Sequence, residues 1–294
     1  MKADSQADLK DRYALVTGAT TGIGFYTARR LATRGASVLV TGRNPRRGAE
    51  AEGDLRRAAG HERVEFIRVD HSTVAANVAL AEELRSRFAR LDFLVNNLGG
   101  LVPSRVVTHD GNELTLALNF MTPFVLTESL VPLMLGGDSS RCVNVISSAF
   151  KMAKGDPFVD LQSERSYVPL QVLARAKLLA LVWTGALADR YRGGPLSAVA
   201  VNPGMAWTPG TLAMTRETVP AWRYIWPIVR FFQRRADPDK GGEACEAVAL
   251  APAEAISGKY FDGRKPHVFP AGVLDGDLRE RVLQLGRQLS VHKG

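Results

Sequence analysis

Glycines spaced to admit a phosphate offer the first chemistry in this sequence. In Thr17-Gly18-Ala19-Thr20-Thr21-Gly22-Ile23-Gly24, an apolar run ends in a Gly-x-x-x-Gly-x-Gly turn, and a helix-like stretch follows directly. Such a turn lets main-chain N–H groups approach a pyrophosphate, and the N-terminus of the next helix adds a favourable dipole. The spacing differs from the commoner Gly-x-Gly-x-x-Gly fingerprint, and a tight turn alone would need similar glycines. Its place at the first strand-to-helix junction favours the nucleotide. A second group closes the next apolar run, Ser37-Val38-Leu39-Val40-Thr41-Gly42-Arg43-Asn44. An acid there would bond the adenosine ribose hydroxyls. Arg43 instead offers a fork-shaped cation suited to a 2′-phosphate, with Arg46 and Arg47 adding to the field. Asp70 ends the third run, where a short carboxylate could meet an adenine amino group.

These groups need elements to hold them. Apolar runs near 13–17, 37–41, 64–69, 93–96, 142–146, 196–201 and 259–261 predict strands. Helical patterns fall between them, near 25–34, 46–59, 74–90, 113–134, 170–190 and 241–251. Strands separated by helix-length segments predict right-handed crossovers and a seven-stranded parallel sheet covered on both faces. Residues 1–10 read as a polar tail and 11–294 as a single domain, with no linker or repeat dividing it. A segment rich in tryptophan, proline and phenylalanine, 205–240, follows a strand end and is expected to form a substrate lid.

A chain of 294 residues with a net charge of +8 raises the question of nucleic acid. Its arginines are scattered over amphipathic stretches, and no aromatic-basic repeat accompanies them, so no nucleic-acid partner is expected. Continuous apolar runs look too short for a bilayer, and stable membrane insertion is not expected. Cys142 and Cys245 stand far apart without metal-ligand spacing, so no metal is expected and a reducing cytoplasm is the default. Trp207, Trp222, Tyr224, Trp226, Phe231 and Phe232 in the lid favour a lipophilic or aromatic small molecule, although they would equally suit a homo-oligomer interface.

From the fourth strand onward the sequence resembles the short-chain dehydrogenase/reductase family. Leu94-Val95-Asn96-Asn97-Leu98-Gly99 is similar to the family's Asn-Asn-Ala-Gly segment, and Thr17-Gly18-x-x-x-Gly22-Ile23-Gly24 to its phosphate turn. Asp110-Gly111-Asn112-Glu113, Leu118-Asn119-Phe120 and Phe124-Val125-Leu126-Thr127 resemble the central helix of its retinol-dehydrogenase-like branch. Asn202-Pro203-Gly204-x-x-x-Thr208 resembles its nicotinamide-side turn, and Ser257-Gly258-Lys259-Tyr260-Phe261 the branch's final strand. The resemblance implies a doubly wound Rossmann-like α/β fold that binds NADP(H). It assigns Gly18, Thr20, Thr21, Gly22, Ile23 and Gly24 to the pyrophosphate, and Arg43 with Asn44 to the 2′-phosphate. Asp70, Asn97 and Gly99 fall to the adenosine side and its turn, and Pro203, Gly204, Thr208 and Lys177 to the nicotinamide side. Leu98 departs from the family's alanine.

The family's chemistry rests on a serine, a tyrosine, a lysine four residues after it and an asparagine from the central helix. Lys177 fits the lysine, Asn119 the asparagine, and Ser147 or Ser148 the serine. Four residues before Lys177 stands Leu173, so the proton donor is missing. Tyr167, ten residues before Lys177, is the nearby hydroxyl that could replace it, and Asp156, Asp160 and Glu164 share its loop. His109 reads as a turn residue. The resemblance thus implies an atypical oxidoreductase, one route being reduction of an iminium, which needs no acid. A non-redox enzyme (cyclase, isomerase or dehydratase) and an NADP-binding regulatory protein are the alternatives.

Overall fold

The computed structural model describes residues 8–204, 235–256 and 258–291. Its apolar runs become β1 (Tyr13–Val16), β2 (Ser37–Gly42), β3 (Val64–Arg68), β4 (Phe93–Asn96), β5 (Ser140–Val145), β6 (Leu196–Asn202) and β7 (Lys259–Asp262). They join in the order β3-β2-β1-β4-β5-β6-β7, all parallel. An eighth strand, β8 (Lys265–Val268), turns back antiparallel on β7. The seven-stranded expectation is corrected there. Lys265-Pro266-His267-Val268 is exposed throughout and carries a proline, so it lacks the apolar run that marks an interior strand.

Alternation of side chains across the pleat explains the two helical layers. Across neighbouring strands, Leu15, Leu39, Leu94, Cys142 and Ala198 point to one face. That face packs against α3 (Val74–Arg87), α4 (Leu114–Met134) and α5 (Pro169–Arg190). Val16, Val40, Val95, Val143 and Val199 point to the other, covered by α1 (Gly22–Thr33), α2 (Pro45–Ala59) and α6 (Pro238–Ala249). A short α7 (Ala253–Ile256) precedes β7. Two C-terminal helices, α8 (Ala271–Leu274) and α9 (Gly276–Leu289), add Val273, Val282 and Leu285 to the leucine face. The 1–10 segment is polar as read, yet Leu9 is buried and its N–H bonds Arg34 O at 2.8 Å, so the chain joins the core from that residue.

Two helices correct the reading of apolar length. Leu114–Met134 spans 21 residues and Pro169–Arg190 spans 22, and both are long and apolar enough to cross a membrane. In this fold most of each is buried, and fully buried Phe120, Leu126, Leu130, Leu179 and Trp183 account for the composition. A helix enclosed by a sheet and two neighbours is apolar nearly all round for that reason.

Candidate active site

The glycine-rich turn leaves β1 and is held from both sides. Thr17 Oγ accepts the N–H groups of Asn97 and Leu98, each at 3.1 Å. Asn97 Nδ2 donates to Thr17 O at 2.9 Å and to Gly18 O at 3.3 Å. From β2, Thr41 Oγ accepts Gly18 N–H at 3.3 Å. Gly18 and Gly22 both adopt φ 63°, a region open to glycine at little cost. A Cβ at Gly24 would lie 2.3 Å from Asn97 Nδ2, so the turn can close only around a glycine. Leu98, bulkier than alanine, lies over the turn, its Cδ1 2.9 Å from where a Gly18 Cβ would stand.

Thr21 takes the N-cap position of α1 without a side-chain hydrogen bond, and no acid occupies the first turn. The opening N–H groups of the helix, from Gly22, Ile23 and Gly24, therefore keep their donors for a ligand. Thr20 lies beside Gly42, next to exposed Arg43 at the end of β2. Arg43 makes no ion pair among the described residues, whereas Arg46 lies 3.9 Å from Glu50. Asn44 caps α2 by accepting Arg47 N–H at 3.1 Å, and exposed Asp70 accepts Ser72 N–H at 3.1 Å. Main-chain donors over a helix N-terminus, with an available guanidinium beside them, fit a phosphorylated dinucleotide.

The second half of the site lies where β4 and β5 end. Lys177, on α5, is 6% exposed and donates from Nζ to Val145 O at 2.8 Å. Burial lowers its pKa to about 8, because desolvation disfavours the ammonium. Asn119 sits on a π-helical turn of α4, Ala117–Met121, and its amide clamps the loop after β4. Its Oδ1 accepts Gly100 N–H at 3.0 Å, and its Nδ2 donates to Gly100 O and Thr115 O at 2.9 and 2.7 Å. A Cβ at Gly99 would fall 2.4 Å from Asn119 Oδ1 and 3.2 Å from Lys177 Nζ. The three residues converge. Beneath them Asn96 Nδ2 donates to Asn144 Oδ1 at 2.8 Å, and Asn144 Nδ2 to Thr184 Oγ at 2.8 Å. This buried ladder fixes α5, and with it Lys177, against β4 and β5.

Leu173 lies one turn before Lys177, 8% exposed, in an apolar cluster with Leu101, Ala149 and Leu170. Ala149 follows the two candidate serines, so Leu173 faces their segment. Ser147 is half-buried and its hydroxyl oxygen accepts Ala149 N–H at 3.2 Å, capping a 3₁₀ turn, Ser148–Met152. Ser148 is exposed. The Tyr167 hydroxyl is engaged elsewhere: it donates to Val102 O at 2.8 Å and lies 3.1 Å from Thr115 Oγ and 3.3 Å from Glu113 Oε1. Burial, together with the Glu113 charge, pushes its pKa up to about 12. Asp160 binds the N–H groups of Glu164, Arg165 and Ser166, Asp156 pairs with Arg281 at 2.9 Å, and Glu164 lies 3.7 Å from Arg105. His109 is exposed. Pro203 and Gly204 follow β6, and Thr208 and lid residues 205–234 lie outside the described residues. Thr41 was legible only as a strand residue. Its hold on Gly18 appears once β1 and β2 are side by side.

Comparison with known proteins agrees with this geometry. A model of the short chain dehydrogenase family matches residues 12–156. Dehydrogenase/reductase SDR family member 13 from Bos taurus is 32% identical over 294 residues, covering 97% of this chain and 74% of the relative. Retinol dehydrogenase 12 from Homo sapiens is 32% identical over 262 residues, covering 89% and 80%. Among solved structures, an uncharacterised protein from Mycobacterium paratuberculosis superposes with a TM-score of 0.74 at 26% identity, covering 98% of both chains. The Pseudomonas aeruginosa RhlG/NADP complex gives a TM-score of 0.67 at 25% identity, covering 87% of this chain and 95% of that one. By sequence, and by the doubly wound sheet that carries its glycine turn, the chain belongs to the short-chain dehydrogenase/reductase family.

Proposed function

We propose that this protein is an atypical NADP(H)-dependent oxidoreductase acting on a lipophilic or aromatic small molecule, with iminium-type acceptors within its range. One observation carries the reading: Lys177, Asn119 and Gly99 converge as a nicotinamide site would need, while Leu173 puts an apolar side chain one turn away. When bound, the nicotinamide supplies or accepts the hydride. The N–H groups at Gly22, Ile23 and Gly24 hold the pyrophosphate, Arg43 pairs with the 2′-phosphate, and Asp70 meets the adenine. The complex of RhlG with NADP supports that choice of cofactor. Lys177 holds the nicotinamide ribose, and Thr208 the carboxamide.

Reducing an ordinary ketone leaves charge on oxygen, and a positioned acid contributes about 10²–10⁴-fold. Leucine supplies none, and Tyr167 spends its hydroxyl on Val102 and Thr115. Among the described residues, Lys177 is an ionisable group beside the site, and its ammonium can offset such charge below pH about 8. An iminium gives a neutral amine on reduction without a proton. Leu101, Ala149, Leu170 and Leu173 support an apolar substrate, with Ser147 or Ser148 orienting its polar atom. A single catalytic domain, 11–294, in a reducing cytoplasm completes the reading, supported by two free, buried cysteines.

Leu173 also favours a second reading, a non-redox enzyme on the same fold. Incubation with ketone, iminium and polyene candidates and stereospecifically deuterated NADPH separates the two. Deuterium in the product is expected. Turnover that leaves NADPH unconsumed would move the protein to the non-redox class.

A further inference from the structure

His71 is buried at the end of the third strand run, 2% exposed, and the dinucleotide chemistry above makes no use of it. Its surroundings settle which ring nitrogen carries the proton. Asn77 Nδ2 gives its two hydrogens to His71 O at 3.1 Å and Thr73 O at 2.6 Å. Asn77 Oδ1 therefore faces His71 Nδ1 at 2.6 Å as an acceptor, so Nδ1 bears the hydrogen. Reversing the amide would aim its oxygen at two carbonyls. The other ring nitrogen, Nε2, lies 2.7 Å from Thr41 Oγ. In a neutral ring Nε2 is bare, so the Thr41 hydroxyl donates to it. The lone pairs of the same oxygen then remain for Gly18 N–H, at 3.3 Å. Thr122 Oγ on α4 donates to His71 O at 2.6 Å and anchors the histidine from below.

We propose that His71 is a positioning residue of the dinucleotide site, holding the phosphate turn through Thr41 as the neutral Nδ1–H tautomer. The inference rests on reading the Gly18 turn as a dinucleotide cradle. The direction of every bond in the chain is fixed: Gly18 N–H to Thr41, Thr41 O–H to His71, His71 Nδ1–H to Asn77. A proton added at Nε2 would have to point at Thr41 Oγ, reversing the middle bond and leaving the hydroxyl hydrogen to seek another acceptor. Burial opposes that proton, while the Asp70 carboxylate favours it. Asp70 is the charged group acting on the ring; the turn, β2, α3 and α4 present it with Gly18, Thr41, Asn77 and Thr122.

Two measurements on the full-length protein test this. Long-range ¹H–¹⁵N NMR of the imidazoles, without cofactor, should show His71 as neutral Nδ1–H at pH 7. An Nε2–H or doubly protonated ring would overturn the assignment whatever the protein binds. The second measurement follows NADPH affinity and Gly18 amide exchange in His71→Leu and His71→Gln. Leucine removes the acceptor for Thr41, and glutamine can restore one. His71→Leu should weaken NADPH about tenfold, the upper span of one hydrogen bond, and speed Gly18 exchange, whereas His71→Gln should stay within about threefold. Wild-type affinity should fall on acidification below the ordinary histidine range, where the buried ring takes up a proton, and the part of that fall owed to His71 should vanish in His71→Gln. Tight NADPH binding by the wild type with unchanged affinity and exchange in His71→Leu would overturn the inference and leave the cofactor reading intact. A wild type that binds no dinucleotide would remove the cofactor reading, and Gly18 exchange with the NMR tautomer would still decide whether His71 holds the turn. If His71→Leu does not fold, the tautomer and the wild-type pH dependence decide.

Discussion

At the scale of single residues, the site combines a cation placed for binding with a cation that is costly to bury. Arg43 is exposed and makes no ion pair among the described residues, so a 2′-phosphate would meet a guanidinium that need not first break another bond. Charge-assisted bonds of this kind are worth about 1.5–3 kcal/mol. Arg43→Ala is therefore expected to weaken NADPH by about tenfold or more and leave NADH within about threefold, read by tryptophan fluorescence titration; equal losses for both would remove Arg43 from that role. Lys177 presents the opposite case. Its folded pKa of about 8 lies below the ordinary lysine value of 10.5, so the unfolded chain binds the proton more tightly. The resulting cost, on the order of 3 kcal/mol, is fully present below pH 8 and disappears as pH rises through 10.5. Lys177→Met should abolish turnover yet raise Tm at pH 7, with the gain shrinking as pH climbs from 8 to 10.5. A lower Tm at pH 7 would show that the Val145 bond outweighs desolvation.

At the scale of elements, continuous apolar runs were readable as strands because β1 to β7 are parallel and covered on both faces. The phosphate turn was readable because its glycines are neighbours in sequence. Partners drawn from separate elements were not: Thr41, His71 and Asn77 meet only after β2, β3 and α3 have packed. The C-terminal helix α9 escaped notice for another reason. Half of Gly276–Leu289 is charged or polar, and the helix buries only Val282, Leu285 and Gly286. That helix nevertheless reaches the insertion between β5 and α5. Arg281 pairs with Asp156 at 2.9 Å, and its guanidinium lies 4.0 Å from the centre of the Phe158 ring. Cation–π contact and ion pair together make Arg281 a strap across a loop with little regular structure of its own. Arg281→Ala should accelerate amide exchange through residues 158–163 while α5 exchanges at its former rate. Unchanged exchange in the loop would show that the bonds of Asp160 to Glu164, Arg165 and Ser166, with those of Arg105 and Arg175 to the loop's carbonyls, hold it without Arg281.

At the scale of the whole molecule, two helices of membrane-spanning length serve as the inner layer of one sheet. Exposing α4 would tear Thr127 Oγ from Asn96 Nδ2, which donates to it at 2.9 Å, and exposing α5 would break the Asn96–Asn144–Thr184 ladder. The folded protein is expected to stay out of neutral phosphatidylcholine vesicles in a flotation assay; comigration with the vesicles would point to a membrane role for these or other segments. The ties of the phosphate turn carry a consequence in time. Thr17 and Gly18 are joined to Asn97, about 80 residues later, and Gly18 to Thr41, 23 residues later. A ribosome releases the glycines long before it makes the asparagine that closes around them. At about 5–20 residues per second the wait lasts several seconds. The nascent chain thus carries the sequence of a cofactor site well before it can have the shape of one, and any nucleotide present earlier meets a loop rather than a cradle.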